Sequence, residues 1–316
     1  MNRPHLALSA LIAGALTLAA APASFAQGTA YACESGRLFH TINLATGAKT
    51  QIGFITSNVT VPATLTYDCA TGITYTTSTS TNVGTSKSLY TLNVATGVAT
   101  VVGPYGDTAI FTHALQIDTR TGDLYAISQH NSGLYSINKS TGAATLIGLT
   151  GFTGAFPFAS LGFDSTHNIM YAINAATDSL YRVNLLTGAI TLVGPLAGPV
   201  NCGDMTYNSD NQTMYMVDND NDILYTINLT TGAATPIGPT GVGNLIGFVY
   251  ISNTSATCPA RCRADFNSNG TLNVQDIFDF LAAWFAGDPR ADFNNAGGVT
   301  VSDIFDFLAA WFAGCP

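Results

Sequence analysis

The chain has 316 residues, of which only 9% are charged, and a net charge of −9 at neutral pH. An ordinary soluble domain carries about 25% charged residues, so Thr, Gly, Ala and Asn must fill this surface, a composition that reads as extracellular. No basic stripe exists to displace counterions from phosphate, which excludes a nucleic-acid partner; the acidic balance suits divalent cations instead.

At the N-terminus, Asn2 and Arg3 lead into an apolar run from Leu6 to Ala21, then Pro22, Ser24 and Ala26. The run is shorter than the roughly 20 residues of a spanning helix, and Ser24 and Ala26 supply a cleavage site before Gln27. Residues 1–26 therefore read as a signal peptide. The mature chain is expected to be secreted, extracellular or attached to the cell surface, without a direct membrane span.

Between residues 27 and 252 one pattern recurs five times, from Leu38 to Gly53, Leu89 to Gly103, Leu134 to Gly148, Leu180 to Gly194 and Leu224 to Gly238. It reads roughly Leu-Tyr-x-Ile-Asn-x-x-Thr-Gly-x-x-Thr-x-Ile-Gly, and its Thr-Gly pairs begin at Thr46, Thr96, Thr141, Thr187 and Thr231, in steps of 50, 45, 46 and 44 residues. The alternation around Tyr181 and Val183 marks a strand, and Thr187-Gly188 supplies a turn needing positive φ. A second hairpin lies between the copies, as in Leu161 to Tyr171. Four short strands per period of about 45 residues predict the blades of an all-β, five-bladed β-propeller. Leu245 to Ile251 is an inner strand with nothing following it, and Thr29 to Gly53 has three strands and no inner one; together they complete a fifth blade. The repeat resembles the short-blade propellers of exported bacterial proteins with YVTN-type repeats. That resemblance implies architecture and fixes no activity.

An unknown ligand is expected on the propeller's loop face. The loops leading into the inner strands carry Asp107, Phe111 and His113, then Phe152, Phe156 and Phe158, then Asn201 and Asp204; Glu34, His130, Asn131 and the run Asp218 to Asp222 should share that face. Glu34 is the chain's single glutamate, and no nucleophile elbow or zinc-binding helix motif appears, so no catalytic residue is assigned. Six cysteines, Cys33, Cys69, Cys202, Cys258, Cys262 and Cys315, in an exported chain are expected to form disulfides, with Cys262 and Cys315 stapling the small C-terminal unit.

After a linker at 253–261, residues 262–316 hold the strongest chemical signal. Asp265, Asn267, Asn269, Asn273 and Asp276 fall at positions 1, 3, 5, 9 and 12 of a calcium loop, Gly270 takes the sharp turn, and the Thr271 carbonyl serves at position 7. A second copy starts 27 residues later with Asp292, Asn294, Gly298, Thr300 and Asp303, but Ala296 removes the ligand at position 5 and predicts a weaker site. Both loops run into Asp-Ile-Phe-Asp-Phe-Leu-Ala-Ala-Trp-Phe-Ala-Gly, whose apolar spacing predicts two packed amphipathic helices bearing Ile277, Phe280, Leu281, Trp284 and Phe285, and their equivalents through Phe312, on the packed stripe. The unit, ending Gly314-Cys315-Pro316, resembles short dockerin modules. That resemblance implies bound Ca2+, a small α-helical calcium-binding domain, and contact with a cohesin-like or other cell-surface protein through Val274, Gln275, Val301 and Ser302. It also implies two roles for the propeller: a binding or scaffold unit held in an assembly, or, alternatively, a polysaccharide-degrading enzyme (glycoside hydrolase or lyase) delivered by the module.

Overall fold

The structure is a computed structural model and describes residues 28–78, 87–106, 110, 112–151, 160–198, 201–253, 262–267, 271–294 and 298–314. The expected signal peptide, Asp107, Phe111, Phe152, Phe156, Phe158, Cys258, Asn269 and Cys315, and the side chain of His113, lie outside the described residues.

Twenty strands among these residues form five four-stranded antiparallel sheets. The first blade takes β1 (Thr29–Glu34), β2 (Leu38–Ile42) and β3 (Lys49–Phe54). The second is β4 (Pro62–Asp68), β5 (Ile73–Ser78), β6 (Ser88–Leu92) and β7 (Ala99–Pro104), and the third β8 (Thr112–Ile117), β9 (Leu124–Ser128), β10 (Gly133–Ile137) and β11 (Ala144–Leu149). The fourth is β12 (Ser160–Asp164), β13 (Ile169–Asn174), β14 (Ser179–Val183) and β15 (Ile190–Pro195), the fifth β16 (Cys202–Asn208), β17 (Thr213–Asp218), β18 (Ile223–Ile227) and β19 (Ala234–Pro239). The last strand, β20 (Leu245–Ile251), pairs antiparallel with β1 from Thr29↔Ile251 to Glu34↔Leu245. The expected closure is thus made by backbone pairing between the two ends of the propeller, which removes a bare sheet edge.

The repeat's residues explain the blade. In the fourth, β12 is buried throughout, and Asp164 at its end accepts the amides of Thr166 (2.9 Å) and His167 (3.1 Å), an Asx turn into β13. After β14, Asn184 Oδ1 accepts from Leu186 and Thr187, and Gly188 supplies φ of +76°. The Leu-Tyr pair sits at a register shift, so that Leu180 faces Gly194 while Tyr181 faces Leu192. Buried side chains of neighbouring blades then merge: Ala114, Tyr125 and Leu134 pack with Leu161, Phe163 and Val183.

The repeat's final glycine has a separate duty. A Cβ on Gly148 would fall well under 3.0 Å from the Thr187 carbonyl oxygen of the next blade, and a Cβ on Gly188 would meet the Gly148 carbonyl. The same backbone-to-backbone approach joins Gly103 to Gly142, Gly194 to Gly232 and, across the closure, Gly238 to Gly47. At the remaining junction Gly97 meets the Phe54 carbonyl, one residue along, and Gly53 has nothing within 4 Å.

The C-terminal unit has two helices, α1 (Val274–Phe285) and α2 (Val301–Ala313), joined through a 3-10 turn at Pro289–Ala291. Phe280 and Phe307 are fully buried and stack at 4.1 Å with rings 1° from parallel. Around them the duplication is reciprocal: Trp284 Nε1 donates to the Thr300 carbonyl (2.7 Å) and Trp311 Nε1 to the Asn273 carbonyl (3.1 Å), so each helix holds the other repeat's loop. The expected stripe is too wide at one residue per helix. Phe285 and Phe312 are 79% and 77% exposed, because the buried face turns through Phe280 and Ala283 on α1 and through Phe307 on α2.

Candidate functional site

The candidate residues of the propeller separate into groups that do different work. Asp204, expected on the loop face, is instead fully buried in inner strand β16, just past a register shift between Cys202 and Asp204. Its Oδ2 accepts the amides of Leu65 (3.1 Å) and Phe248 (2.9 Å), and its Oδ1 the Ser160 hydroxyl (2.7 Å) and the Met205 amide (3.0 Å). One carboxylate therefore ties four of the five blades together at the axis. Burial pushes its pKa up to about 7, against the downward pull of the hydrogen bonds from Ser160, Phe248, Leu65 and Met205. This is a structural keystone, and its position corrects the ligand-facing role expected for it. Other inner strands are tied in the same manner, by Thr64 to Leu115, Thr66 to Ile117 and Thr206 to Tyr250.

Glu34 is also withdrawn from solvent. Its Oε1 lies 2.7 Å from Lys49 Nζ and 3.0 Å from His40 Nε2, and Lys49 donates as well to the Val242 carbonyl (2.8 Å). Burial lowers the His40 pKa and so favours its neutral ring, while the neighbouring Glu34 pulls the other way. The cluster pins the loop before β20 to the first blade. Asp218 is buried as well and caps its own turn through the amides of Asp220 (2.8 Å) and Asn221 (2.9 Å). On the loop face Asn201 donates its side-chain amide to Asp220 (3.1 Å, exposed), and its carbonyl accepts the Asn219 amide (2.9 Å). Asn131 caps the Gly133 amide and donates to the Tyr135 hydroxyl, whereas His130 is exposed.

The expectation that all cysteines are paired needs correction. Cys69 and Cys262 are in disulfides, but Cys33 and Cys202 are free thiols buried in different hydrophobic clusters. Burial is the leading cause of their raised pKa values, with the nearby Asp204 charge adding to it, so both behave as small apolar groups of the core.

The two loops of the C-terminal unit are built alike. Asp276 Oδ1 accepts the Asn267 amide (3.3 Å) and its Oδ2 the Asn273 amide (2.8 Å), so the carboxylate at position 12 closes the loop on position 3 and also completes the capping box of α1. Asp303 does the same through Asn294 (3.1 Å) and Thr300 (2.7 Å). Asn267 and Asn294 each donate a side-chain amide to the carboxylate one turn further on, Asp279 and Asp306, both at 2.8 Å. Asn273 accepts the Gln275 amide and donates to the Thr271 carbonyl, and Asp292 accepts the Gly298 amide at 2.9 Å. Val274 and Val301 are exposed at the first turn of each helix; Gln275 bonds to Asp279 and Ser302 to Asp306. The donor set suits a hard cation in kind: Asp265 and Asp276 are both buried carboxylates in one loop, and the other candidate ligands offer amide and carbonyl oxygen. Among the described residues no three His, Cys, Asp or Glu side chains cluster, so any such ion would rest mainly on two carboxylates and neutral oxygens.

A feature without sequence signal is the seat of this unit on the propeller. Arg120, in the Asx turn after β8, is 6% exposed and bidentate to Asp118 (Nε–Oδ1 3.1 Å, Nη2–Oδ2 2.6 Å), and its Nη1 lies 3.7 Å from Asp265 Oδ2. Beside it a small cavity is lined by Asp123, Tyr125 and Leu185 from the propeller and by Arg263, Phe266 and Arg290 from the C-terminal unit.

The family model described as "Repeat of unknown function (DUF6923)" matches residues 78–253, more than half of the chain. The chain belongs to this family. No curated protein matches it. Similar solved structures include a chain of a nidogen/laminin complex (13% identity, TM-score 0.49, 70% of this chain and 97% of that one). Another is a structural genomics protein of unknown function from Bacteroides thetaiotaomicron (16%, 0.48, 68% and 58%), and a third an auxiliary nutrient binding protein from the same organism (14%, 0.47, 72% and 64%). This chain thus spans less than two thirds of the two Bacteroides proteins. No described helix is long and apolar enough to cross a membrane.

Proposed function

We propose that the chain is a secreted binding or scaffold propeller, held in an extracellular or cell-surface assembly by its dockerin-like C-terminal unit in a calcium-dependent way. The observation that carries this reading is the outward aromatic surface of that unit. Phe278, Phe285, Phe305 and Phe312 are 60%, 79%, 67% and 77% exposed on two equivalent helices, more apolar surface than a unit of this size leaves in water without a partner. Val274 and Val301 extend each face toward the loops. Calcium would be held by Asp265, Asn267, Asn269, Asn273, Asp276 and the Thr271 carbonyl, and in the second loop by Asp292, Asn294, Thr300, Asp303 and the Gly298 carbonyl. Bound there, it would neutralise buried carboxylates and fix the start of each helix, and so the angle at which the aromatic face is presented. The partner would be a cohesin-like or other cell-surface protein, and the propeller's loop face, where Asn201 and Asp220 meet, would carry the cargo ligand.

The test is retention of the protein on the surface of its producing cells, with and without a calcium chelator, for the full chain and for a chain lacking residues 262–316. Retention that is lost on chelation and absent from the truncated chain supports the reading. Equal retention of both chains contradicts it.

A further inference from the structure

We infer that the propeller sets the calcium affinity of the C-terminal unit through Arg120, whose guanidinium is a built-in competitor for the carboxylate of Asp265. The inference deepens the proposed function and rests on its calcium reading.

The geometry makes Arg120 a fixed charge. Nε and Nη2 are both committed to Asp118, which is itself fully buried at the end of β8, and the guanidinium lies over the Phe163 ring at 5.5 Å. Its Asx turn is further locked by the Arg120 amide on Asp118 Oδ1 (2.9 Å). A guanidinium held on one edge by a bidentate carboxylate and on its face by an aromatic ring does not swing away readily. Nη1, the remaining nitrogen, is the one that faces Asp265 at 3.7 Å. Both side chains are shielded, 8% and 7% exposed, so water screens the interaction little.

Asp265 stands at position 1 of the first loop. A calcium ion sits about 2.3–2.6 Å from each ligand oxygen, which would put a divalent charge within a few ångströms of the immobile guanidinium. Arg120 therefore lowers calcium affinity in two ways, by occupying the carboxylate and by repelling the ion. The coupling is reciprocal, so calcium weakens the contact between the C-terminal unit and the third blade by the same factor. Beside this pair Arg290 of the C-terminal unit, bidentate to Asp288, faces Tyr125 and Asp123 of the third blade across the small cavity. In the second loop Asp292 accepts the Gly298 amide.

The experiment is calcium titration calorimetry on the full chain as wild type, as Arg120→Gln and as the double variant Asp118→Asn with Arg120→Gln. The double variant avoids leaving the buried Asp118 charge unpaired, and thermal unfolding in chelator verifies that each propeller is folded. The expected result is calcium affinity at least tenfold higher in both variants than in wild type, with the same stoichiometry. Equal affinity in all three proteins overturns the inference while leaving calcium binding established. Absence of calcium binding from all three overturns it together with the calcium reading on which it rests.

Discussion

Gly148→Ala adds one methyl group where two blades meet through bare backbone. The new Cβ would lie well under 3.0 Å from the Thr187 carbonyl oxygen, whereas ordinary contact begins at 3.4 Å. The obstructing atom is main chain, fixed between the cap of Asn184 and the turn at Gly188, so no side chain can rotate out of the way. The third and fourth blades must part locally, and overpacking of this kind costs about 1–3 kcal/mol, here toward the upper value. The repeat supplies its own control. Gly53 occupies the equivalent position in the first blade, opposite Phe39 as Gly148 is opposite Leu134, but has nothing within 4 Å and lacks positive φ. Gly53→Ala is therefore expected to be neutral or to stabilise by about 0.4–1 kcal/mol through the unfolded chain. Guanidinium unfolding followed by far-ultraviolet circular dichroism measures both, with unchanged denaturant slopes as the condition for comparing them. Equal losses in the two variants, or no loss in Gly148→Ala, would refute the interlocking of blades through these glycines.

The buried carboxyl of Asp204 gives a pH signature. Because burial raises its folded pKa from 3.8 to about 7, the folded state retains a proton that the unfolded chain releases. Its contribution to stability is present below pH 3.8 and is lost as pH rises through about 7, at about 1.4 kcal/mol per pH unit in between. Asp204→Asn removes that slope, so unfolding free energies of wild type minus variant should fall steadily between pH 4 and 7; a constant difference would show that the four hydrogen bonds outweigh burial. Trp284→Phe deletes the bond to the Thr300 carbonyl and should destabilise the C-terminal unit by about 1 kcal/mol, read from the remaining Trp311 emission during denaturation. Asp265→Ala should weaken calcium binding more than Asp292→Ala, since the second loop has Ala296 at position 5; calorimetry showing equal losses would remove the asymmetry.

The fold was largely legible because the blades repeat short-range chemistry: in the second to fifth an Asx cap follows the inner strand and a Leu-Tyr pair sits at the register shift, and a Thr-Gly turn recurs in all five. The unpaired strand at Leu245 to Ile251 announced the closure. Contacts between blades left weaker traces. Gly103, Gly148 and Gly194 look like turn residues, yet each lies against a carbonyl some 40 residues away, as Gly148 and Thr187 show. Asp204 was misplaced because the register shift at Cys202 breaks the alternation that would have marked it as inward-facing. Phe285 and Phe312 have helical spacing compatible with the buried stripe, and only the stacking of Phe280 on Phe307 decides which side of that stripe is covered. The pairing of Arg120 with Asp265 links an ordinary turn residue to a loop residue in another part of the chain, for which one sequence carries no local sign.

Both tryptophans of the chain, Trp284 and Trp311, lie in the C-terminal unit, and each is bonded to the other repeat's loop. Calcium titration of the full chain, with heat and tryptophan emission recorded together, therefore reads that unit alone through its emission. The account predicts saturable heat accompanied by an emission change with the same midpoint. Neither heat nor emission change at millimolar calcium would contradict the calcium-dependent attachment on which the proposed function depends.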